Sequence, residues 1–216
     1  MSYLNVKFGE ILKKLKMKRG CLIGLVKAGF LVLVAIGIIS WGTKVYNGMV
    51  TMQESVTSQW GNVQTAYQRR SDLIPNFVNT VKGAANFEQT TLTQVIEARS
   101  KATSVTIDPT NMTAANMQQF QQAQGQLSSA LSRLMVVVEQ YPELKATQNF
   151  RDLQVELEGT ENRISVERRK FNEVALVYNT FIRKFPQNFL AGMFGFQSKP
   201  YFEAAEGADK APEVKF

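Results

Sequence analysis

Residues 20–42 read GCLIGLVKAGFLVLVAIGIISWG, with Lys27 as the only charge. A stretch that is apolar on every side cannot lie on the surface of a water-soluble domain, so this run constrains the fold more than any other feature. Residues 28–41 alone number 14 and are too short to span a bilayer. With residues 21–26 added, the run reaches the roughly 20 residues that a ~30 Å hydrocarbon layer needs. Lys27 then lies within reach of the headgroups by snorkelling. Trp41, and Tyr46 about one turn on, are placed as an interfacial aromatic belt is. A cleaved signal peptide would need a small-residue processing site, and Trp41-Gly42-Thr43-Lys44-Val45-Tyr46 offers none. A buried soluble helix is seldom apolar all round at this length. Cys21 precedes the apolar core, the wrong order for a lipid-modified N-terminal cysteine, and reads as a small residue of the anchor. Residues 20–42 are therefore predicted to be a single-pass transmembrane helix.

The flanks orient it. Residues 1–19 hold six Lys or Arg, whereas Lys44 is the only basic residue between the run and Arg69. The basic segment 1–19 is expected in the cytoplasm, and the chain beyond the anchor on the outer face of the membrane. The net charge of +7 belongs to this end: residues 1–44 carry eight basic side chains and one acidic, and the rest balance at 17 each. Whole-chain basicity is thus no argument for nucleic acid, and no nucleic-acid partner is expected. The chain has no His and one Cys. That removes the commonest general base, any internal disulfide and any multi-thiolate metal site. No cofactor or metal is expected.

Beyond the anchor the apolar period is helical. Val45, Met49, Met52, Val56, Trp60, Val63 and Tyr67 form one stripe, read as an extension of the transmembrane helix to about Ser71. Asp72 is read as the N-cap of a second helix with Pro75 in its first turn. That helix carries Ile74, Phe77, Val78, Val81, Leu92, Val95 and Ile96, with a soft spot around 83–87 and a loop at 103–111. A third helix from about Thr113 carries Met117, Phe120, Leu127, Leu131, Leu134 and Val138. Pro142 breaks it and opens a fourth, where Phe150, Leu153, Leu157, Ile164, Phe171, Val174, Tyr178 and Phe181 recur up to Pro186. The predicted fold is all-α: an N-terminal transmembrane helix continuing into an antiparallel four-helix bundle over 43–198, with a largely disordered tail over 199–216.

Several spaced motifs resemble the LemA family. Gln68-Arg69-Arg70-x-Asp72-Leu73-Ile74-Pro75-Asn76, Val81-Lys82-Gly83 and Glu88 look like its first block. Glu139-x-Tyr141-Pro142-x-Leu144-Lys145, Phe150-x-x-Leu153-Gln154, Thr160-Glu161-Asn162, Arg168-Arg169-Lys170-Phe171-Asn172, Phe185-Pro186-x-Asn188 and Phe194-Gly195-Phe196 are similar to the remainder. Ala84-Ala85-Asn86-Phe87-Glu88 departs from the family, which more usually shows an aromatic residue and a His before the Glu. The resemblance implies a membrane-anchored helical bundle of the bacterial envelope with no established activity.

Up-and-down connectivity places 69–75 and 139–142 at the same end of the bundle, far from the membrane. Arg69 or Arg70 is expected to meet Glu139 or Asp72 there, with Tyr141 alongside, as a structural ion-pair tip. Glu156, Glu158 and Glu161 are read as a solvated face paired with Arg163, Arg168 and Arg169, because bundle metal sites need His that this chain lacks. Residues 102–132 hold one charge, Asp108, and six Gln between 118 and 126. A face without charges does little to discourage self-association, so a homo-oligomer is expected. After Pro186, the residues Phe189, Leu190, Met193, Phe194 and Phe196 either plug the open end of the bundle or contact lipid or a partner. The chain is expected to be non-enzymatic: a scaffold that self-associates at the bilayer, or an adaptor for another envelope protein such as a membrane protease or its substrate.

Overall fold

The computed structural model describes the backbone of residues 2–83 and 88–203, and side chains from Val26 onward. Every long element is helical, and no strand occurs among the described residues. In chain order these are α1 (Ser2–Lys82), α2 (Gln89–Ser104), a 3-10 turn at Pro109–Asn111, α3 (Ala114–Val138), α4 (Pro142–Lys145), α5 (Gln148–Arg183) and α6 (Gln187–Phe194). The chain divides into two compact units, residues 1–48 and 49–216.

In the first unit α1 is apolar on all sides over residues 28–41. Phe30, Leu31, Leu33, Ile38 and Ile39 are each more than 60% exposed. Helix α1 contains an 18-residue window of mean hydropathy 1.8, none of it buried. Such a helix is long and apolar enough to cross a membrane.

In the second unit the α1 stripe of Met49, Val56, Trp60, Val63 and Tyr67 is buried, as its spacing predicts. The turn expected at 71–75 does not occur. Helix α1 runs through Pro75 to Lys82, keeping Ile74, Phe77, Val78 and Val81 on its buried face. A helical Pro cannot donate to the carbonyl four residues back, here that of Ser71. Arg99 of α2 fills the gap, its Nε donating to that carbonyl at 2.8 Å. Asp72 is consequently not a cap; it accepts from Gln68 Nε2 one turn earlier, at 2.7 Å. The second helix is thus only α2, and residues 84–87 lie outside the described ones. Leu92 and Val95 are buried as expected, but Ile96 is half exposed.

Helix α3 begins where predicted. Thr113 accepts from Asn116 N while the Asn116 side chain accepts from Thr113 N, a reciprocal cap that satisfies two orphan donors. Its predicted core residues Met117, Phe120, Leu127, Leu131, Leu134 and Val138 are all buried. The fourth helix is not continuous from Pro142. A single turn, α4, anchors Leu144 in the core, and Thr147 then caps a fresh start by accepting from Phe150 N.

Cross-helix pairs fix the register. Gln59 meets Glu167, Arg70 meets Glu161 and Phe77 meets Phe150, so α5 runs antiparallel to α1. Tyr67 meets Phe120 and Arg70 meets Ser128, so α3 runs parallel to it. Helix α2 pairs Arg99 with Ser71 and Ala102 with Gln124, antiparallel to both. This is up-down-up-down order for α1, α2, α3 and α5. The core has an aliphatic level around Ile74, Val81, Leu92, Leu134 and Leu157. Its aromatic level surrounds Trp60, whose ring contacts Phe120, Phe171 and Phe202 at centroid distances of 5.3, 5.6 and 5.9 Å.

Phe202 belongs to the stretch expected to be disordered. Residues 199–203 instead pack on the bundle, with Lys199 and Phe202 buried, so the folded unit extends past Ser198. The remainder of the predicted tail, 204–216, lies outside the described residues.

Candidate functional site

Polar side chains of α1 and α5 meet along one seam. At its first level Gln59 Nε2 donates to Glu167 Oε2 at 2.7 Å. Glu167 also accepts from Arg163 Nε at 2.9 Å and lies 3.3 Å from Lys170 Nζ, although its own side chain is only 2% exposed. At the next level Arg70 is 1% exposed. Its Nη1 donates to Glu161 Oε1 at 2.8 Å and to Ser128 Oγ at 2.9 Å. Its Nη2 donates to the Gln124 side-chain oxygen, and the guanidinium lies 5.1 Å from the Tyr67 ring centroid. Gln124 is itself held by donating to the Ala102 carbonyl at 3.1 Å. At the third level Arg69 pairs with Glu156 at 2.6 Å on the surface. This pair borders a cleft of about 550 Å³ lined by Asn62, Thr65, Ala66, Arg69, Glu156, Gly159, Thr160 and Arg163.

The tip predicted from Arg69, Arg70, Asp72, Glu139 and Tyr141 therefore does not assemble. Because α1 continues past residue 75, Arg69 and Arg70 lie along the side of the bundle rather than at a helix end. Their carboxylates come from α5. Glu139 pairs with Lys145 across the α3–α4 joint, at 2.5 Å. Tyr141 packs against the aliphatic core. The glutamates of α5 are likewise not matched to Arg163, Arg168 and Arg169 as expected: Glu156 and Glu161 face α1, and Glu158 accepts from Gln154 at 3.0 Å. Arg163 serves Glu167, and Arg168 lies over the Phe202 ring. Sequence reasoning missed Gln59, Gln124, Ser128 and Glu167. Glu167 carried a usable signal, since it stands one turn after Ile164 and one before Phe171 on the apolar face of α5.

The seam is built to hold charge rather than to move protons. The Ser128 hydroxyl accepts from a guanidinium, which draws electron density away instead of activating a nucleophile. Burial pushes the Tyr67 phenol up, with Arg168 and Arg70 opposing it. Among the described residues no three His, Cys, Asp or Glu side chains cluster to hold a metal. The Gln59 amide holds the Glu167 carboxyl below its ordinary value of 4.5, with Lys170 and Arg163 adding to this against the cost of burial. A carboxyl depressed in the folded state stabilises the fold above its unfolded pKa, and that stability is lost as pH falls through the folded value. Urea midpoints measured from pH 6 to pH 3 should therefore fall more steeply in the native chain than in Glu167→Gln. Equal slopes would remove Glu167 from the acid response.

A second cluster lies on α6. Phe189, Met193 and Phe194 are 69%, 74% and 53% exposed, and Phe185 just before α6 is 78% exposed. Leu190 and Phe196 are half-buried, and Ala191 is the residue of α6 that packs fully inward. A bundle plug would bury these side chains, so that expectation is corrected: α6 docks through Ala191 and leaves Phe189 and Met193 largely exposed.

The two units thus define an all-helical protein with one helix suited to a membrane and a polar-seamed bundle. The LemA family model matches residues 59–216, so the chain belongs to the LemA family. The magnetosome proteins MamQ 2 of Paramagnetospirillum magneticum and MamQ of Magnetospirillum gryphiswaldense are each 28% identical over 183 residues. These matches cover 76% of this chain and 66% of the relatives. Protein LemA of Metamycoplasma hominis is 26% identical over 160 residues, covering 74% of this chain and 69% of that protein. The chain is a membrane-associated helical protein.

Proposed function

We propose that this protein is a non-enzymatic scaffold of the bacterial inner membrane, anchored by residues 20–42 with its N-terminus in the cytoplasm, whose external bundle associates with further copies. The observation that carries the reading is the outer face of α3. Gln118, Gln119, Gln122, Gln126 and Ser129 are exposed on a run of α3, residues 114–132, that carries no charge of its own, and Glu97, Lys101 and Arg133 border only its far end beside Gln126 and Ser129. Amide side chains can pair with an identical amide face, and no like charges oppose the approach. The magnetosome names of the relatives support a role in membrane organisation. Helix α6, with its exposed rings beside Arg183 and Lys184, is a second contact with the bilayer surface, where basic and aromatic groups are favoured together.

One cysteine tests both orientation and association. In a Cys21→Ala background, Gln122→Cys should react with a membrane-impermeant maleimide in intact spheroplasts and yield a cross-linked dimer with a short bis-maleimide. Labelling only after lysis would overturn the orientation. Labelling without cross-linking, with one dominant neighbouring protein captured instead, would favour the adaptor. A fluorophore at Met193→Cys in the same background should be quenched by a lipid-confined quencher in liposomes; no quenching would remove α6 from the membrane.

A further inference from the structure

After α6, Gly195 takes the left-handed conformation (φ 76°) and the chain turns back along the bundle as an extended segment. Side chains of the bundle hold its backbone. Asn179 accepts from Lys199 N at 2.8 Å and donates to Lys199 O at 2.8 Å. Two helical turns earlier, Asn172 accepts from Phe202 N at 2.8 Å and donates to Phe202 O at 2.9 Å. Tyr178 Oη donates to Gln197 O at 3.0 Å, and Arg168 to Glu203 O at 2.8 Å. The segment thus runs antiparallel to α5, its main chain read at both ends and at two points between.

Two side chains of the segment enter the bundle. The Lys199 ammonium donates to the carbonyls of Pro109 and Thr110 at 2.9 and 3.3 Å, facing Asp108. Phe202 stacks on Trp60, meets the edge of Phe171 at 5.5 Å and lies under the Arg168 guanidinium at 4.8 Å. Main-chain bonds that give affinity, with separate pockets for alternate anchors, are how a groove holds a peptide ligand. Asn at two positions seven apart beside Phe171 and Tyr178 is not needed to pack a helix, since apolar residues would serve α5 better there.

We propose that the α5 face carrying Asn172 and Asn179 is a peptide-binding groove for an extended segment with a basic residue three before an aromatic one, filled in cis by residues 197–203 and open to the same segment of a second copy. The second-copy arm rests on the self-association proposed above; the groove itself does not.

The test uses the whole chain in detergent with Trp41→Phe, which leaves Trp60 as the sole tryptophan of the two. A version ending after Ser198 is titrated with the synthetic peptide FQSKPYFEA, residues 196–204. Trp60 emission should change saturably, and apparent affinity should drop at least tenfold with Asn172→Ala plus Asn179→Ala. A shortened chain that keeps its helical circular dichroism yet shows no change at millimolar peptide overturns the groove. If the shortened chain loses its helices, amide exchange in the intact chain decides. Opening at Lys199 and Phe202 without loss of α5 protection supports a detachable ligand; exchange there only on global unfolding overturns it. Finally, the shortened chain and the full-length double Asn variant are mixed with donor and acceptor dyes. Energy transfer in the mixture supports exchange between copies. Native self-association without such transfer ends the second-copy arm alone. Peptide binding without native self-association ends the scaffold reading and leaves the groove standing.

Discussion

Leu134→Asp is expected to leave the bundle unfolded at ordinary temperature, while Val136→Asp two residues away changes its stability by less than about 0.5 kcal/mol. Leu134 is fully buried among Ile74, Val81, Leu92 and Leu157, whereas Val136 is 68% exposed. Losing a buried Leu side chain costs about 2–5 kcal/mol, and an unpaired carboxylate in its place costs several more before its pKa rises to neutralise it. A domain of this size has a total stability of about 5–15 kcal/mol, so one substitution removes most of it. Urea unfolding followed by circular dichroism of the two variants checks the α3 register directly. A stable Leu134→Asp, or an unfolded Val136→Asp, would mean that α3 faces the other way.

The register of α3 was legible because hydrophobic spacing is set by helix geometry alone, and Thr113 supplied a cap. The same holds for the long apolar run of α1 and for its buried stripe from Met49 to Tyr67. Legibility failed where a distant partner reversed a local preference. Pro75 after Asp72 is a sound helix-start signal, yet Arg99, 24 residues on, takes the carbonyl that Pro75 leaves without a donor. Local sequence carries no trace of that rescue. The single misplaced turn then displaced the whole ion-pair assignment, because it set Arg70 at a helix end rather than on a helix side. In the tail the composition points to disorder, but two Asn side chains of α5 supply residues 199–203 with the main-chain partners that a disordered segment would find in water. The signal lay on α5 rather than in the tail: Asn172 and Asn179 interrupt an apolar stripe.

Charge across α1 and α5 fixes which residues face one another, whereas apolar contacts would tolerate a shift by one turn. Ion pairs of this kind more often select an arrangement than add net stability. At the surface the Arg69–Glu156 pair contributes little on that view, since both side chains are well exposed and exposed pairs are worth about 0–1 kcal/mol. The buried level is different, because Arg70 cannot be replaced by water.

Arg70→Ala should therefore cost about 3–5 kcal/mol, from an orphaned buried acceptor and a large-to-small void rather than from Glu161, whose half-exposed carboxylate stays solvated. The loss has two parts. The Gln124 side-chain oxygen, inside the bundle, loses its donor, and the space held by the Arg stem becomes a void beside Tyr67. Arg70→Lys separates charge from geometry. One ammonium cannot reproduce a fork that reaches Glu161 and Ser128 with one nitrogen and Gln124 with another. Lys should thus recover only part of the loss, leaving the variant nearer to Ala than to the native chain. Replacing Arg70 and Glu161 together by Met should be milder than Arg70→Ala, because it fills the void and leaves no charge without its partner. Denaturant midpoints of the three variants, compared at constant m-value, give the order native, double Met, Lys, Ala. A Lys variant as stable as the native chain would show that charge alone is required, and that the forked geometry does not hold α1 against α3 and α5.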